Sequence, residues 1–181
     1  MKKKGIITAV ILSLLVIGTV GCKSNDTKST VSANLVSSEK SNLKISSSSG
    51  KTGSNVEVKV KASNVAKKNV ICCDFKIKYD ASKLDVSGIS PGEILKDPKD
   101  NLEYNVDSKN GVITILYSYS DKNIGKELIS KNGDFVTLNL KIKDDAKKGK
   151  TQISFNGNPE FYDKNQKGVS VTTNKGEIEI K

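Results

Sequence analysis

The chain has 181 residues, with 30 basic and 20 acidic side chains and a formal net charge of +10. It has no histidine, which removes His-based triads, the usual zinc sites and the common general base near neutral pH. Every basic residue is a lysine and the lysines are spread along the whole chain. The bidentate guanidinium fork that reads guanine is therefore missing, and the charge points to a solvated surface facing an anionic membrane or wall, with no nucleic-acid partner.

In chain order the first element is Lys2, Lys3 and Lys4 followed by an apolar run from Ile6 to Val20. A basic start, an apolar core and small residues before a cleavage point make a secretory signal. The run is short for a membrane span, which needs roughly 20 residues. It ends Thr19-Val20-Gly21-Cys22, and a cysteine directly after the small residue resembles the lipobox of bacterial lipoproteins. That resemblance implies a signal over residues 1–21, diacylglycerol attached to Cys22, and a protein lipid-anchored to the outer face of the cell membrane. Two acyl chains hold where one barely does.

Residues 22–42 are Ser, Thr, Asn and Lys with single scattered apolar residues. Such a segment cannot bury enough to order itself and reads as a flexible tether with a reach of roughly 25 Å. Residues 43–181 form one domain's worth of chain, large enough for a real core. Leu43–Ile45 reads as a short strand and Ser46–Ser54 as a polar loop inside the domain.

From there the period is two. Val56, Val58, Val60 and Ala62 alternate with charged residues, and Ile71, Cys73, Phe75, Ile77 and Tyr79 alternate with Cys72, Asp74, Lys76 and Lys78. Leu84–Ile89, Leu102–Val106, Val112–Tyr119, Phe135–Lys143, Ile153–Phe155, Val169–Val171 and Ile178–Ile180 follow. In the long strand, Val136, Leu138, Leu140 and Ile142 oppose Phe135, Thr137, Asn139 and Lys141. Ser90-Pro91-Gly92, Asn110-Gly111, Asn132-Gly133, Lys148-Gly149 and Asn174-Lys175-Gly176 supply the turns. Only Ile124–Ser130 has helical character. The expectation is an all-β, antiparallel β-sandwich of eight or nine short strands. Apart from Cys22 the cysteines are the adjacent pair Cys72 and Cys73, whose mutual bond would close a strained ring, so no structural disulfide is expected.

Four blocks in order and at similar spacing resemble the cohesin domain, type I-like. They are Cys73-Asp74-Phe75-Lys76-Ile77-Lys78-Tyr79-Asp80 with Leu84-Asp85-Val86; Ile89-Ser90-Pro91-Gly92-Glu93-Ile94-Leu95-Lys96-Asp97-Pro98; Val112-Ile113-Thr114-Ile115-Leu116-Tyr117-Ser118; and Ile129-Ser130-Lys131-Asn132-Gly133-Asp134-Phe135-Val136-Thr137-Leu138. The resemblance covers Leu43 to Lys181. It implies a nine-stranded jelly-roll sandwich that binds dockerins, small calcium-loaded helical modules of secreted plant-cell-wall hydrolases. Calcium is then expected on the dockerin and no cofactor on this chain, which is expected to be a monomer.

The pleat predicts which residues face a partner. With Cys73, Phe75 and Ile77 turned inward, Cys72 and Asp74 point out; with Ile113, Ile115 and Tyr117 inward, Thr114, Leu116 and Ser118 point out. An apolar centre with a polar rim suits a protein partner. By resemblance, Asp74 matches the family's outward aspartate, which accepts a hydrogen bond from a dockerin serine or threonine. Leu116 and Ser118 match the outward apolar and small positions. Cys72 stands where many cohesins have asparagine, Asp107 falls near a position often aromatic, and Asn123 belongs to the loop after Ser118.

Two other functions fit a sandwich: a carbohydrate-binding module and a structural Ig-like surface lipoprotein. Sugar faces need a row of exposed aromatics, and the chain has no Trp, while Tyr104, Tyr117, Tyr119, Phe161 and Tyr162 are not expected on one outward face. An enzyme is not expected, because no nucleophile motif is present. The leading expectation is a membrane-anchored single cohesin that holds dockerin-bearing enzymes at the cell surface.

Overall fold

The computed structural model describes residues 40–119 and 128–181. Cys22, Asn123 and the expected helix over Ile124–Glu127 lie outside the described residues. Leu128–Ser130 is not helical, and Ile129 forms an isolated bridge with Val70.

The described strands are β1 (Ser41–Ile45), β2 (Ser48–Gly50), β3 (Asn55–Ser63), β4 (Val70–Lys78), β5 (Leu84–Pro91), β6 (Leu102–Asp107), β7 (Val112–Ser118), β8 (Gly133–Ile142), β9 (Gly149–Phe155), β10 (Glu160–Asp163), β11 (Val171–Asn174) and β12 (Gly176–Ile180), with one short helix, α1 (Pro98–Asn101). They form two sheets. One has the order β11-β1-β3-β8-β5; the other runs β2-β12-β9-β4-β7-β6, with β10 added against β4.

The architecture is the expected all-β sandwich, with two differences. It has twelve strand segments among the described residues in place of eight or nine, and its pairing is not wholly antiparallel. β1 runs parallel to β11 and β2 parallel to β12. Each terminal segment of the domain splits between the sheets: β1 and β11 lie in one, β2 and β12 in the other. The two ends of the sandwich chain thus lie side by side and close one flank, with Ser41 N–H donating to Ser170 O (3.1 Å) and Lys181 N–H to Gly50 O (2.9 Å). Gly176 is required here, because a Cβ would stand 2.3 Å from Ser46 O.

Part of the Ser-rich stretch expected as a loop is therefore strand. Its side chains carry no apolar alternation because β2 is an edge, held by backbone pairing to β12. β1 likewise opens at Ser41, two residues before the expected domain start. Ser41 is fully buried, and its hydroxyl donates to Asn64 O at 3.0 Å.

The alternation of β8 breaks once. Val60 pairs with Val136 but Lys61 with Asp134, so Phe135 sits in a bulge and both Phe135 and Val136 are fully buried. The expected opposition of these neighbours fails there. Phe135 instead becomes the hub of the core: its ring meets Phe75 edge-on at 5.3 Å, Tyr117 at 6.1 Å and Phe161 at 6.3 Å. The β5–β6 connection crosses the core edge, where Tyr117 Oη accepts from Lys96 N–H (3.2 Å) and donates to Lys96 O (3.0 Å). Pro98 opens α1, where its missing N–H costs nothing.

Candidate functional site

The register of the larger sheet defines its outer face. Between β4 and β7, Cys72 pairs with Ser118, Asp74 with Leu116, Lys76 with Thr114 and Lys78 with Val112. Alternate residues of these strands are buried: Cys73, Phe75, Ile77, Ile113, Ile115 and Tyr117. Asp74 and Ser118 are exposed, while Cys72, Thr114 and Leu116 are half-buried. The predicted inward and outward sets are both observed.

The flanking strands widen the face. β6 sets Glu103 beside Leu116, Asn105 beside Thr114 and Asp107 beside Val112. On the other side β10 sets Glu160 beside Asp74 and Tyr162 beside Cys72. One continuous cross-strand row is then Glu160–Asp74–Leu116–Glu103, an apolar side chain and three carboxylates. The next row is Tyr162–Cys72–Ser118. Opposite and diagonal neighbours in such rows lie within reach of one another, so the two rows make one patch.

Sequence reading missed Glu160, Tyr162 and Glu103. For β10 the signal was available but weak: Asn156-Gly157-Asn158-Pro159 is a turn, and Glu160-Phe161-Tyr162 alternates once. Its pairing partner is the more informative fact. β9 pairs with β4 only at Ile77 and Lys78; Asn156 N–H then donates to Lys76 O (2.8 Å) before the chain turns away and returns as β10. A shallow groove of about 250 Å³ remains beside Asp74, lined by Lys76, Asn156, Gly157, Asn158 and Glu160.

The chemistry of the patch is that of recognition. Tyr162 Oη donates to Glu160 at 3.1 Å, and the bonded carboxylate pushes the phenol pKa up. Burial, and then the Asp74 charge, push the Cys72 thiol up. Burial holds Cys73 well above the ordinary thiol range. Both thiols are free. Asp107 lies two rows from Leu116, and its carboxylate is engaged in the β6–β7 turn: it accepts from Asn110 Nδ2 (2.7 Å) and Asn110 N–H (3.0 Å), bonds that lower its pKa.

Among the described residues the exposed large aromatics are Tyr104 and Tyr162, at 50% and 38%. Tyr104 pairs with the inward Ile115 and Tyr162 with the outward Cys72, so they lie on opposite faces and form no stacking platform. No group of three or more His, Cys, Asp or Glu that could hold a metal ion occurs among the described residues.

A model of the cohesin domain matches residues 41–180. The chain is 30% identical over 128 residues to a cellulosome-anchoring protein of Acetivibrio thermocellus, covering 71% of this chain and 28% of that protein. It is 32% identical over 136 residues to cellulose-binding protein A of Clostridium cellulovorans, covering 75% of this chain and 7% of that protein. Among solved structures, the sixth cohesin of scaffoldin B from Acetivibrio cellulolyticus, in complex with a dockerin mutant, superposes with a TM-score of 0.72 at 32% identity. That match covers 78% of this chain and 99% of the neighbour. A type I cohesin in complex with its dockerin from Clostridium thermocellum gives a TM-score of 0.73 at 28% identity, with the same coverage. The chain belongs to the cohesin family.

Proposed function

We propose that this chain is a cohesin receptor that binds a calcium-loaded dockerin on the outer face of β4, β6, β7 and β10. The observation that carries the reading is the row Glu160–Asp74–Leu116–Glu103, together with two structural neighbours that are cohesins in complex with dockerins. Leu116 supplies the apolar centre. Asp74 accepts from a hydroxyl or amide of a dockerin helix, and Ser118 and Thr114 let the helix lie close. Cys72 and Tyr162 form the rim on one side and Glu103 on the other. Asn123, which follows Ser118 in sequence and lies outside the described residues, is included as a partner contact on the family resemblance alone. Asp107 contributes at the periphery, with its carboxylate already used in its turn.

Recognition of this kind joins two pre-ordered surfaces over roughly 1,600 Å² in total. The backing of Asp74 and Leu116 by Phe75, Ile115 and Tyr117 keeps the face rigid, which limits the ordering cost of binding. In this reading calcium serves to fold the dockerin partner, and among the described residues no group of acidic side chains that could hold a metal ion occurs. The chain is non-catalytic, in keeping with relatives named as anchoring and scaffolding proteins.

The lipobox-like Thr19-Val20-Gly21-Cys22 supports acylation of Cys22, which would hold the monomeric sandwich at the outer face of the membrane on its tether. The bound enzymes are plant-cell-wall hydrolases carrying dockerins, anchored there or held in transit. Amide hydrogen exchange tests the face: a calcium-loaded dockerin should protect β4, β7 and β10 and leave β1, β3 and β8 unchanged. Protection confined to the sheet of β1, β3, β5, β8 and β11 would refute it. Deletion of the protein should release dockerin-bearing enzymes from cells, and their unchanged association would refute anchoring.

A further inference from the structure

Lysines without an ion pair occur at both ends of the sandwich, but they are differently placed. At the end where β8 finishes and β9 begins, Lys83 is matched to Asp80 (3.4 Å), Lys141 to Asp144 (3.4 Å), Lys150 to Glu177 (2.9 Å) and Lys78 to Asn110 O, while Lys51, Lys109, Lys147 and Lys148 form no ion pair among the described residues. At the other end, where the chain enters β1, Lys40, Lys67, Lys68, Lys131, Lys164 and Lys167 form no ion pair among the described residues.

These six lysines come from four separate segments that the fold ties together. Lys40 precedes β1, and its carbonyl accepts from Asn64 Nδ2 (3.4 Å). Lys67 and Lys68 lie in the β3–β4 turn, and Lys131 precedes Asn132, whose Oδ1 accepts from Val65 N–H (3.0 Å) in that turn. Lys164 N–H donates to Asn69 O (3.0 Å), which brings the β10–β11 turn alongside. A groove of about 420 Å³ opens between them, lined by Lys40, Lys67, Lys68 and Asp163. Asp163 is the acid of this groove, and its carboxylate is turned into its own loop, accepting from the N–H groups of Asn165 (2.8 Å) and Lys167 (2.9 Å).

We propose that this end is a docking surface for anionic phospholipid headgroups. Its charge is complementary to such a surface, and it is the end at which the chain leading from Cys22 enters the domain. A tether reaching roughly 25 Å returns the lysines repeatedly to the bilayer. Charge acts there only within a Debye length of about 8 Å, so the six lysines must meet the headgroups directly. β4 and β7 run from this end to the other, so docking stands the outer face upright and leaves it open to a partner. The placement rests on the tethered reading above; the binding itself does not require acylation.

The test uses the unacylated chain from Lys23 onward, cosedimented with vesicles of phosphatidylcholine alone or with one-third phosphatidylglycerol. Binding is expected to the anionic vesicles only and to fall with salt. Replacing Lys67, Lys68, Lys164 and Lys167 with Gln should weaken it by roughly fivefold per lysine, at least a hundredfold together. The same number of changes at the opposite end, at Lys83, Lys109, Lys147 and Lys148, should cost less than about tenfold, with an unchanged circular dichroism spectrum for both variants. Equal losses in the two variants would reduce the effect to net charge and overturn the proposal, as would absence of binding to anionic vesicles. Acyl labelling of Cys22 in cells is read separately, so failure of the lipid anchor leaves the vesicle result standing.

Discussion

Replacing Phe135 with Ala tests how the core supports the recognition face. The ring is fully buried and touches Phe75, Tyr117 and Phe161 at 5.3, 6.1 and 6.3 Å. Those three residues sit on β4, β7 and β10, and the residues next to them on the same strands are Asp74, Leu116, Glu160 and Tyr162. Truncating a buried Phe costs about 3–5 kcal/mol through lost transfer energy and the residual cavity. Aromatic pairs of this geometry contribute about 0.5–1.5 kcal/mol beyond burial, so the upper part of that range, about 4–5 kcal/mol, is expected. A domain of this size has about 5–15 kcal/mol in all, so the variant should be folded but close to its limit. Urea denaturation should show the midpoint falling with an unchanged slope, as a pure stability change requires. Since Phe135 touches the face only from behind, dockerin affinity in the cold should stay within about threefold, the non-additive coupling of residues in indirect contact being small. A loss below about 1 kcal/mol would refute the assignment of Phe135 as the hub of the core. Normal stability with lost binding would refute the separation of core from face.

Asp74→Ala and Leu116→Ala should each weaken dockerin binding without moving the denaturation midpoint; for Asp74 the loss of a charged hydrogen bond of about 1.5–3 kcal/mol means roughly 10- to 150-fold in Kd. Iodoacetamide at pH 7.5 should modify Cys72 slowly, because burial and Asp74 raise its pKa, and should reach the fully buried Cys73 only after denaturation. Peptide mass spectrometry reads both sites, and a bound dockerin should protect Cys72. Asp80, Asp107 and Asp163 have carboxyl pKa values lowered by the Ser82 hydroxyl, the Asn110 side chain and the Lys167 N–H respectively. A folded pKa below the unfolded value of about 3.9 contributes stability above that pH and loses it as pH falls through the folded values. Acid denaturation followed by circular dichroism should therefore begin below about pH 4, and Asp107→Asn with Asp163→Asn should flatten the slope.

The strands that the sequence made legible are those whose hydrogen-bonded neighbours lie on both sides and whose side chains face core and solvent in turn. β3, β4, β7 and most of β8 obey this, and from β4 and β7 the pleat placed Asp74, Leu116 and Ser118 outward correctly. The hidden parts are held by other means. β2 is a serine strand fixed by pairing with β12, and β10 is a four-residue strand added where β9 leaves β4. The Phe135 bulge depends on the register between β3 and β8, which neither strand carries by itself. The face was accordingly legible at its centre and hidden at its rim: Glu160 and Tyr162 come from β10, and Glu103 is placed beside Leu116 only by the β6–β7 register. Asp107 was placed only by resemblance, and its engagement with Asn110 was not legible, because a turn acid and a contact acid look alike in sequence.

The most direct test of the account is calorimetric titration of the chain with a panel of calcium-loaded dockerins from secreted plant-cell-wall hydrolases, repeated after chelation. One-to-one binding to at least one dockerin is expected, lost on chelation because the dockerin unfolds, and weakened by Asp74→Ala and Leu116→Ala. Absence of binding across the panel, or binding indifferent to both substitutions, would contradict it.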